Sequence, residues 1–590
     1  MRNLATLATL ATLGCGGGAT FRLSQDENNS YALDGALAKD GAPAQPSPVG
    51  GGPRAYLAGN HALVAYDLAA NKVAWKVPAD VTSRVAVGGD FVVEREGTEL
   101  VARDAGSGAV RWKHGVGNDL VGAAADHDRA YAVVKRGTDA DLVAFAGGSG
   151  AELWRDHAEG GLGGPATLGS LVLVPYNSQW LSLVDGKTGA QVTRVRGVDE
   201  MISIVRSTSR VAWFGSKQGV FRLDHKAAAG KKAEASYTRV QIPALLADRA
   251  SYGIDRYDAI QLGYSASDRA RVLWSGGPDG PELSGGGYAI HFFRYVFGFD
   301  LDGKLRWAYA NPRVELVATE ATGPAILGVD TNGDLVALDA ETGAVRWRGH
   351  SGLGGSVTGA TFDADGWAPQ GQSEPTDLIG TLAGIAKDHD ARFDRVKELA
   401  ARALATQSNP EVTSELLAIL ADKRAPQHLK DVVVELLVVR KDGASLPVLT
   451  QQLAAHDDFL AKTEADSLGV VAKAISGLGD VPIDPKAVPP ALEALRFHLD
   501  APTTSVADLT QVIAAMAAIG HGAERDALWA HLLMYHADDE LGADGSWCAA
   551  IVRALDDKGP ADRELLRYVA ADPRTQPTLS AAIRDALGAD

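Results

Sequence analysis

One short pattern recurs along residues 63–347 and limits what this chain can fold into: an apolar run, an acidic residue, a polar turn and a tryptophan. The clearest copies are LVAYDLAANKVAW ending at Trp75, LVARDAGSGAVRW ending at Trp112 and LVALDAETGAVRW ending at Trp347. LVAFAGGSGAELW ending at Trp154 and LSLVDGKTGAQVT ending at Thr193 are weaker copies. VFGFDLDGKLRW ends at Trp307 with a turn one residue shorter, and VFRLDH around Phe221 opens a seventh copy that then loses the pattern. Successive markers lie about 37–42 residues apart where they can be read, a spacing that marks one repeating supersecondary unit. Length alone, 590 residues, would suggest roughly four independent cores. A repeat array overrides that estimate.

Each copy reads as a hairpin. In the last one, Leu335, Val336, Ala337 and Leu338 form an apolar strand, and Asp339 and Thr342 supply oxygens for turn amides. Gly343 takes a positive φ, and Val345 and Trp347 return on the next strand with Arg346 facing the other way. Asn71 stands where the other turns have glycine and also tolerates that conformation. A lone hairpin is marginal in water, so each must pack on its neighbours. Trp75, Trp112, Trp154, Trp307 and Trp347 are the expected docking residues between units. A buried indole is worth about 4–6 kcal/mol as a gross upper bound. The small residue ten positions earlier (Ala65, Ala102, Ala144, Ala337) is expected to leave room for a neighbouring indole.

The pattern A-x-D-x-x-[ST]-G-x-x-x-W is met by Ala102, Asp104, Ser107, Gly108 and Trp112, and again by Ala337, Asp339, Thr342, Gly343 and Trp347. It resembles the tryptophan-docking repeat of quinoprotein-type, PQQ-like β-propellers. The resemblance spans roughly 54–366 and implies four-stranded blades around an axis, seven by the copies, with six or eight still open. Residues 226–290 read as an insertion with glycine-rich ends, in which Tyr252, Tyr257 and Tyr264 serve either as a contact surface or as blade packing.

The chain opens with MRNLATLATLATLGC: one basic residue, a Leu/Ala/Thr stretch, then Gly14 before Cys15. That is the layout of a secretory signal, too short to span a bilayer. Residues 1–15, through Leu13, Gly14 and Cys15, resemble a bacterial lipoprotein signal, which implies lipidation of Cys15 and, with Gly16 next, sorting to the outer membrane. Residues 16–53 are a Gly/Pro/Ser-rich tether of low hydrophobicity.

After a linker at 367–374 the apolar period changes from two to about 3.6. Leu399, Ala403 and Leu404 form one face, Leu416, Leu417 and Leu420 another, and Val432, Val433, Leu436 and Leu437 a third. Prolines at 410, 426, 447, 482, 490 and 502 fall near helix starts. Residues 375–590 are therefore expected to be all-α, an array of antiparallel helical pairs that resembles HEAT-type repeats, with a compact irregular helical domain as the alternative. The fold class is thus multidomain: an all-β propeller followed by an all-α solenoid.

Chemistry is sparse. A net charge of −17 argues against nucleic acid as a partner. The only cysteines, Cys15 and Cys548, make no metal clamp, and Cys548 in WCAAIVRAL reads as a small core residue. Quinoprotein enzymes hold pyrroloquinoline quinone and calcium, commonly beside a vicinal cysteine pair that this chain lacks. Asp330, Asn332, Asp334 and Glu341 suggest a calcium loop, but the glycine is misplaced, and a turn is the simpler reading. His521, His531 and His536 are too unevenly spaced for a zinc helix and are expected at the surface or in a groove. Asp388, His389 and Asp390 read as a solvated face.

The reading is a non-catalytic, lipid-anchored scaffold for other envelope proteins, with no cofactor, no metal and no transmembrane helix. It is similar to propeller lipoproteins of the outer-membrane β-barrel assembly machinery, with a helical third added. A quinone-dependent oxidoreductase and a ligand-sensing propeller are the alternatives.

Overall fold

The computed structural model describes residues 52–196, 201–207, 211–215, 220–224, 237–239, 270–274, 288–300, 304–355, 357–371, 373–374, 376–456, 466–556 and 559–588. They fall into two compact units that divide between Thr376 and Asp377.

The first unit holds seven four-stranded antiparallel sheets among the described residues. In every sheet but the first, the strands pair in chain order. The first sheet takes Arg54–Gly59, Ala62–Asp67 and Lys72–Pro78 from the start of the unit and Val357–Asp363 from its end. That last strand pairs antiparallel to Arg54–Gly59, setting Arg54 opposite Asp363. An array of short sheets closed in this way leaves only short, protected edges.

Burial explains why some strands read as continuous apolar runs. Leu171–Tyr176 and Ala325–Asp330 are buried along their whole length because neighbouring sheets cover both faces. The outer strand Lys72–Pro78 is open to solvent, and Trp75 is its one fully buried residue. The core consists of clusters between successive sheets. Tyr131, Val133 and Leu142 of the third sheet meet Val172, Val174 and Trp180 of the fourth, and Leu327 and Val329 of the seventh meet Ala55 and Leu57 of the first. Within 226–290, the described strands Tyr237–Arg239 and Ala270–Trp274 complete the fifth sheet and begin the sixth. Tyr252, Tyr257 and Tyr264 lie outside the described residues.

The second unit contains α1 Leu378–Ala386, α2 Asp394–Ala405, α3 Glu411–Ala421, α4 Gln427–Arg440, α5 Leu446–Ala454 and α6 Leu468–Ser476. It continues with α7 Val488–Asp500, α8 Val506–Gly520, α9 Arg525–Tyr535, α10 Gly545–Asp556, α11 Pro560–Ala571 and α12 Pro577–Leu587. The even-numbered helices pack each on the next from α2 to α12, and α1, α3, α5, α7 and α9 do the same alongside them. Trp529 of α9 reaches α11 by donating its indole N–H to Asp562 (2.7 Å). Helix starts follow capping chemistry. Asp377 accepts from the Gly380 amide, and Ser505 accepts from the Asp508 amide. Pro447, Pro560 and Pro577 sit in first turns, where a missing N–H costs little.

Candidate functional site

The repeated element is a joint between sheets. Trp75 Nε1 donates to the Ala105 carbonyl (2.9 Å) and Trp112 Nε1 to Gly147 (2.8 Å). Trp154 donates to Gly186 (3.0 Å) and Trp307 to Ala340 (3.1 Å). The acceptor in each case follows the acidic position of the next copy, a small residue that lets the indole approach. The indole also lies against the turn glycine of that copy. A Cβ on Gly150 would stand 2.6 Å from Trp112 Cγ, and one on Gly108 would stand 2.7 Å from Trp75 Cε3.

The turns are braced as their residue types require. Asp104 Oδ1 accepts from the Ser107 amide (2.8 Å) and hydroxyl (2.8 Å). Hydrogen bonding from Arg111 holds the Asp104 carboxyl below its ordinary range. The alanine ten positions before each tryptophan serves that same copy's indole: Ala65 faces Trp75, Ala102 faces Trp112, Ala144 faces Trp154 and Ala337 faces Trp347 across the hairpin. The neighbouring copy contributes glycine instead. This corrects the expectation that alanine clears space for the adjacent unit.

Two positions depart from the joint. Thr193 is buried opposite Leu183, and the boundary between fourth and fifth sheets is filled by Leu183, Val195, Ile202 and Phe214. Trp347 is half-buried and makes no such carbonyl bond among the described residues. Leu68 occupies the acceptor position facing it, and its ring contacts Tyr66 (centroids 6.1 Å) and Trp367 (5.6 Å) edge-on.

Sequence reasoning missed a buried charged seam between the first and second sheets. Arg103 Nε donates to Glu94 (2.7 Å), and its other nitrogens reach Glu96 and the Gly108 carbonyl. Arg54 donates to the Ala105 carbonyl. Burial pushes Asp363 up to about 6, aided by the charges of Asp365 and Glu320 and opposed by Arg54. Burial likewise raises Glu94 against the pull of Arg103. The available signal was Glu94 and Arg103 at positions where the other copies of the repeat strands carry apolar or small residues.

Elsewhere, the suggested calcium loop is a capped turn. Asp330 Oδ1 accepts from the amides of Asn332 (2.9 Å) and Asp334 (3.0 Å), and Oδ2 from Asn311 (3.2 Å). Among the described residues no group of three or more His, Cys, Asp or Glu side chains is placed to hold a metal. The vicinal cysteine pair common beside a quinone has no counterpart, since Cys548 is buried in α10. His389 is exposed and pairs with Asp422 (3.0 Å). His521 caps α8 in a left-handed conformation (φ 46°). His531 corrects its expected surface position: it is 3% exposed, packed on Tyr535 and Trp547. Desolvation lowers its pKa, with Asp500 opposing. Near their C-terminal ends, α7, α9 and α11 expose Phe497, Met534 and Tyr568. Cys15 lies outside the described residues. No described helix is long and apolar enough to cross a membrane.

Residues 43–239, about a third of the chain, match the family described as outer membrane protein assembly factor BamB. A comparison with curated proteins found no match. Among solved structures, the chain is similar to BamB from Moraxella catarrhalis at 17% identity and a TM-score of 0.33, covering 54% of this chain and 93% of that one. It is also similar to Sqt1 from Saccharomyces cerevisiae at 9% identity and a TM-score of 0.33, covering 53% of this chain and 84% of that one. For Hsv2 from Kluyveromyces lactis the values are 8% and 0.29, with 44% and 73% covered. The family match places a PQQ-like, BamB-like repeat in residues 43–239 of the N-terminal unit.

Proposed function

We propose that this chain is a non-catalytic scaffold of the bacterial cell envelope, lipidated at Cys15 and held at the outer membrane. It presents a seven-bladed propeller and a HEAT-like helical solenoid to protein partners. The observation that carries this reading is the match of residues 43–239 to an outer membrane protein assembly family. The joint residues support it. Trp75, Trp112, Trp154 and Trp307 tie neighbouring sheets together, which favours rigid faces as the surface offered to partners. The exposed Phe497, Met534 and Tyr568 on alternate helices add apolar contact points of the kind interfaces use.

The test is in-cell cross-linking followed by affinity recovery of the full chain from detergent-solubilised envelopes. Recovery of a defined envelope protein at stoichiometric yield is the expected result. Recovery of the bait alone, or substrate turnover by the purified protein, overturns the reading.

A further inference from the structure

The four indole joints share one geometry, and the seam between seventh and first sheets departs from it. Leu68 replaces the small acceptor residue there, and Asn71 replaces the glycine on which the indole would lie. Both changes add side-chain atoms where Trp347 would dock. The ring therefore closes at a place where its usual fastening is missing.

The chain that follows the closing strand lies across this place. The Gly366 amide donates to the Thr322 carbonyl (2.7 Å), and the Thr322 hydroxyl donates to the Trp367 carbonyl (3.0 Å). The Trp367 ring stands perpendicular to Trp347 (88°) and packs on the cluster shared by the seventh and first sheets. Gly371 approaches the Arg346 carbonyl so closely that a Cβ would stand 2.3 Å from it. At the rim, the Glu374 amide donates to the Val345 carbonyl (2.9 Å), extending the outer edge of the seventh sheet by one bridge. Arg348 donates to the Glu374 carboxylate (3.1 Å), and the Thr376 hydroxyl donates to the Thr342 carbonyl (3.1 Å). The interval read from sequence as a linker is fastened at Gly366, Trp367, Glu374 and Thr376.

We infer that the described residues of 364–376 are a strap that locks the ring at its seam, doing for the seventh and first sheets what an indole–carbonyl joint does at the four seams that have one. Trp367 supplies the aromatic surface, and Glu374 and Thr376 pin the strap to the rim. Lifting the strap loosens the first and seventh sheets without loosening the indole-joined pairs.

Hydrogen exchange on the full chain tests this, comparing wild type with Trp367→Ala. Peptides covering 54–67 and 345–363 are expected to exchange about tenfold faster or more, with 129–146 in the third sheet unchanged. Unchanged seam peptides, or equal acceleration in every sheet, overturn the inference. If Trp367→Ala does not fold, the double variant Glu374→Ala with Thr376→Val, which removes only rim bonds, is read by the same criteria. Trp112→Ala is the control and should accelerate exchange at the second and third sheets instead.

Discussion

Each turn glycine meets two demands at once. Gly150 has φ +70°, and its missing Cβ makes room for Trp112. Substitution by alanine brings left-handed strain of about 1–2 kcal/mol and also displaces the indole. Gly150→Ala should therefore lose more stability in urea than the strain alone, and a loss below about 1 kcal/mol would detach the glycine from the joint. Trp112→Ala should cost about 3–5 kcal/mol. Trp347→Ala should cost at least about 1 kcal/mol less, because it has no indole–carbonyl bond to lose. Equal midpoint shifts for the two tryptophan variants would contradict the distinction. The tryptophans and turn residues were legible because their spacing is local and repeats. The role of alanine was not, because it depends on a hairpin register that shifts by one between Ala102 and Arg103. Leu68 was visible as a large residue at its position, as are His225 and Leu301 in the irregular copies, but only the geometry gives it meaning.

At the scale of the element, the closing strand Val357–Asp363 carries no copy of the repeat, and its pairing with Arg54–Gly59 is as non-local as this unit allows. No periodicity could announce it. It brings Asp363 opposite Arg54 in a desolvated seam, and the sign of its pH dependence follows. The folded carboxyl, at about 6, holds its proton more tightly than the unfolded one near 3.8. Burying the carboxylate costs stability above pH 6, and that cost is relieved as pH falls toward 4. The contribution from Asp363 should rise by about 1 kcal/mol between pH 7 and 5. Asp363→Asn should abolish that part of the profile in denaturant titrations, and an unchanged difference between the two pH values would sink the assignment. In the helical unit the sign reverses. Desolvation lowers the pKa of His531 below 6.5 in the folded state, so its contribution is full above pH 6.5 and is lost as pH falls through that value. The Cε1 proton of His531 should titrate with a midpoint below 6.5 by NMR, and a midpoint above it would refute burial as the dominant cause. Amphipathic spacing revealed the helices themselves. Which histidine would be covered depended on how α9 meets α10, beyond the reach of periodicity.

At the scale of the whole molecule, an array of four-stranded sheets and an array of packed helices share one chain, and each builds its core from apolar side chains. Their sheets and helices stack on near neighbours, so the ring and the helical array were readable as classes from period alone. With a net charge of −17, the protein is repelled by anionic headgroups, so the attachment proposed above would not come from electrostatics. No described helix can supply it. Acylation at Cys15 can, since each buried methylene contributes about 0.8 kcal/mol and stable anchoring needs about two chains or a second signal. The charge balance disfavours a basic patch as that second signal, so on the proposed reading lipid carries the hold. Cys15→Ala should therefore move the protein from the membrane pellet to the soluble fraction and abolish incorporation of labelled fatty acid. Its far-UV spectrum and melting should remain those of the wild type, because the described strands and helices all follow Cys15 in the chain, beginning at Arg54. A variant that stays in the pellet through a high-salt wash would show that a protein partner holds the chain, and the lipid anchor would fall.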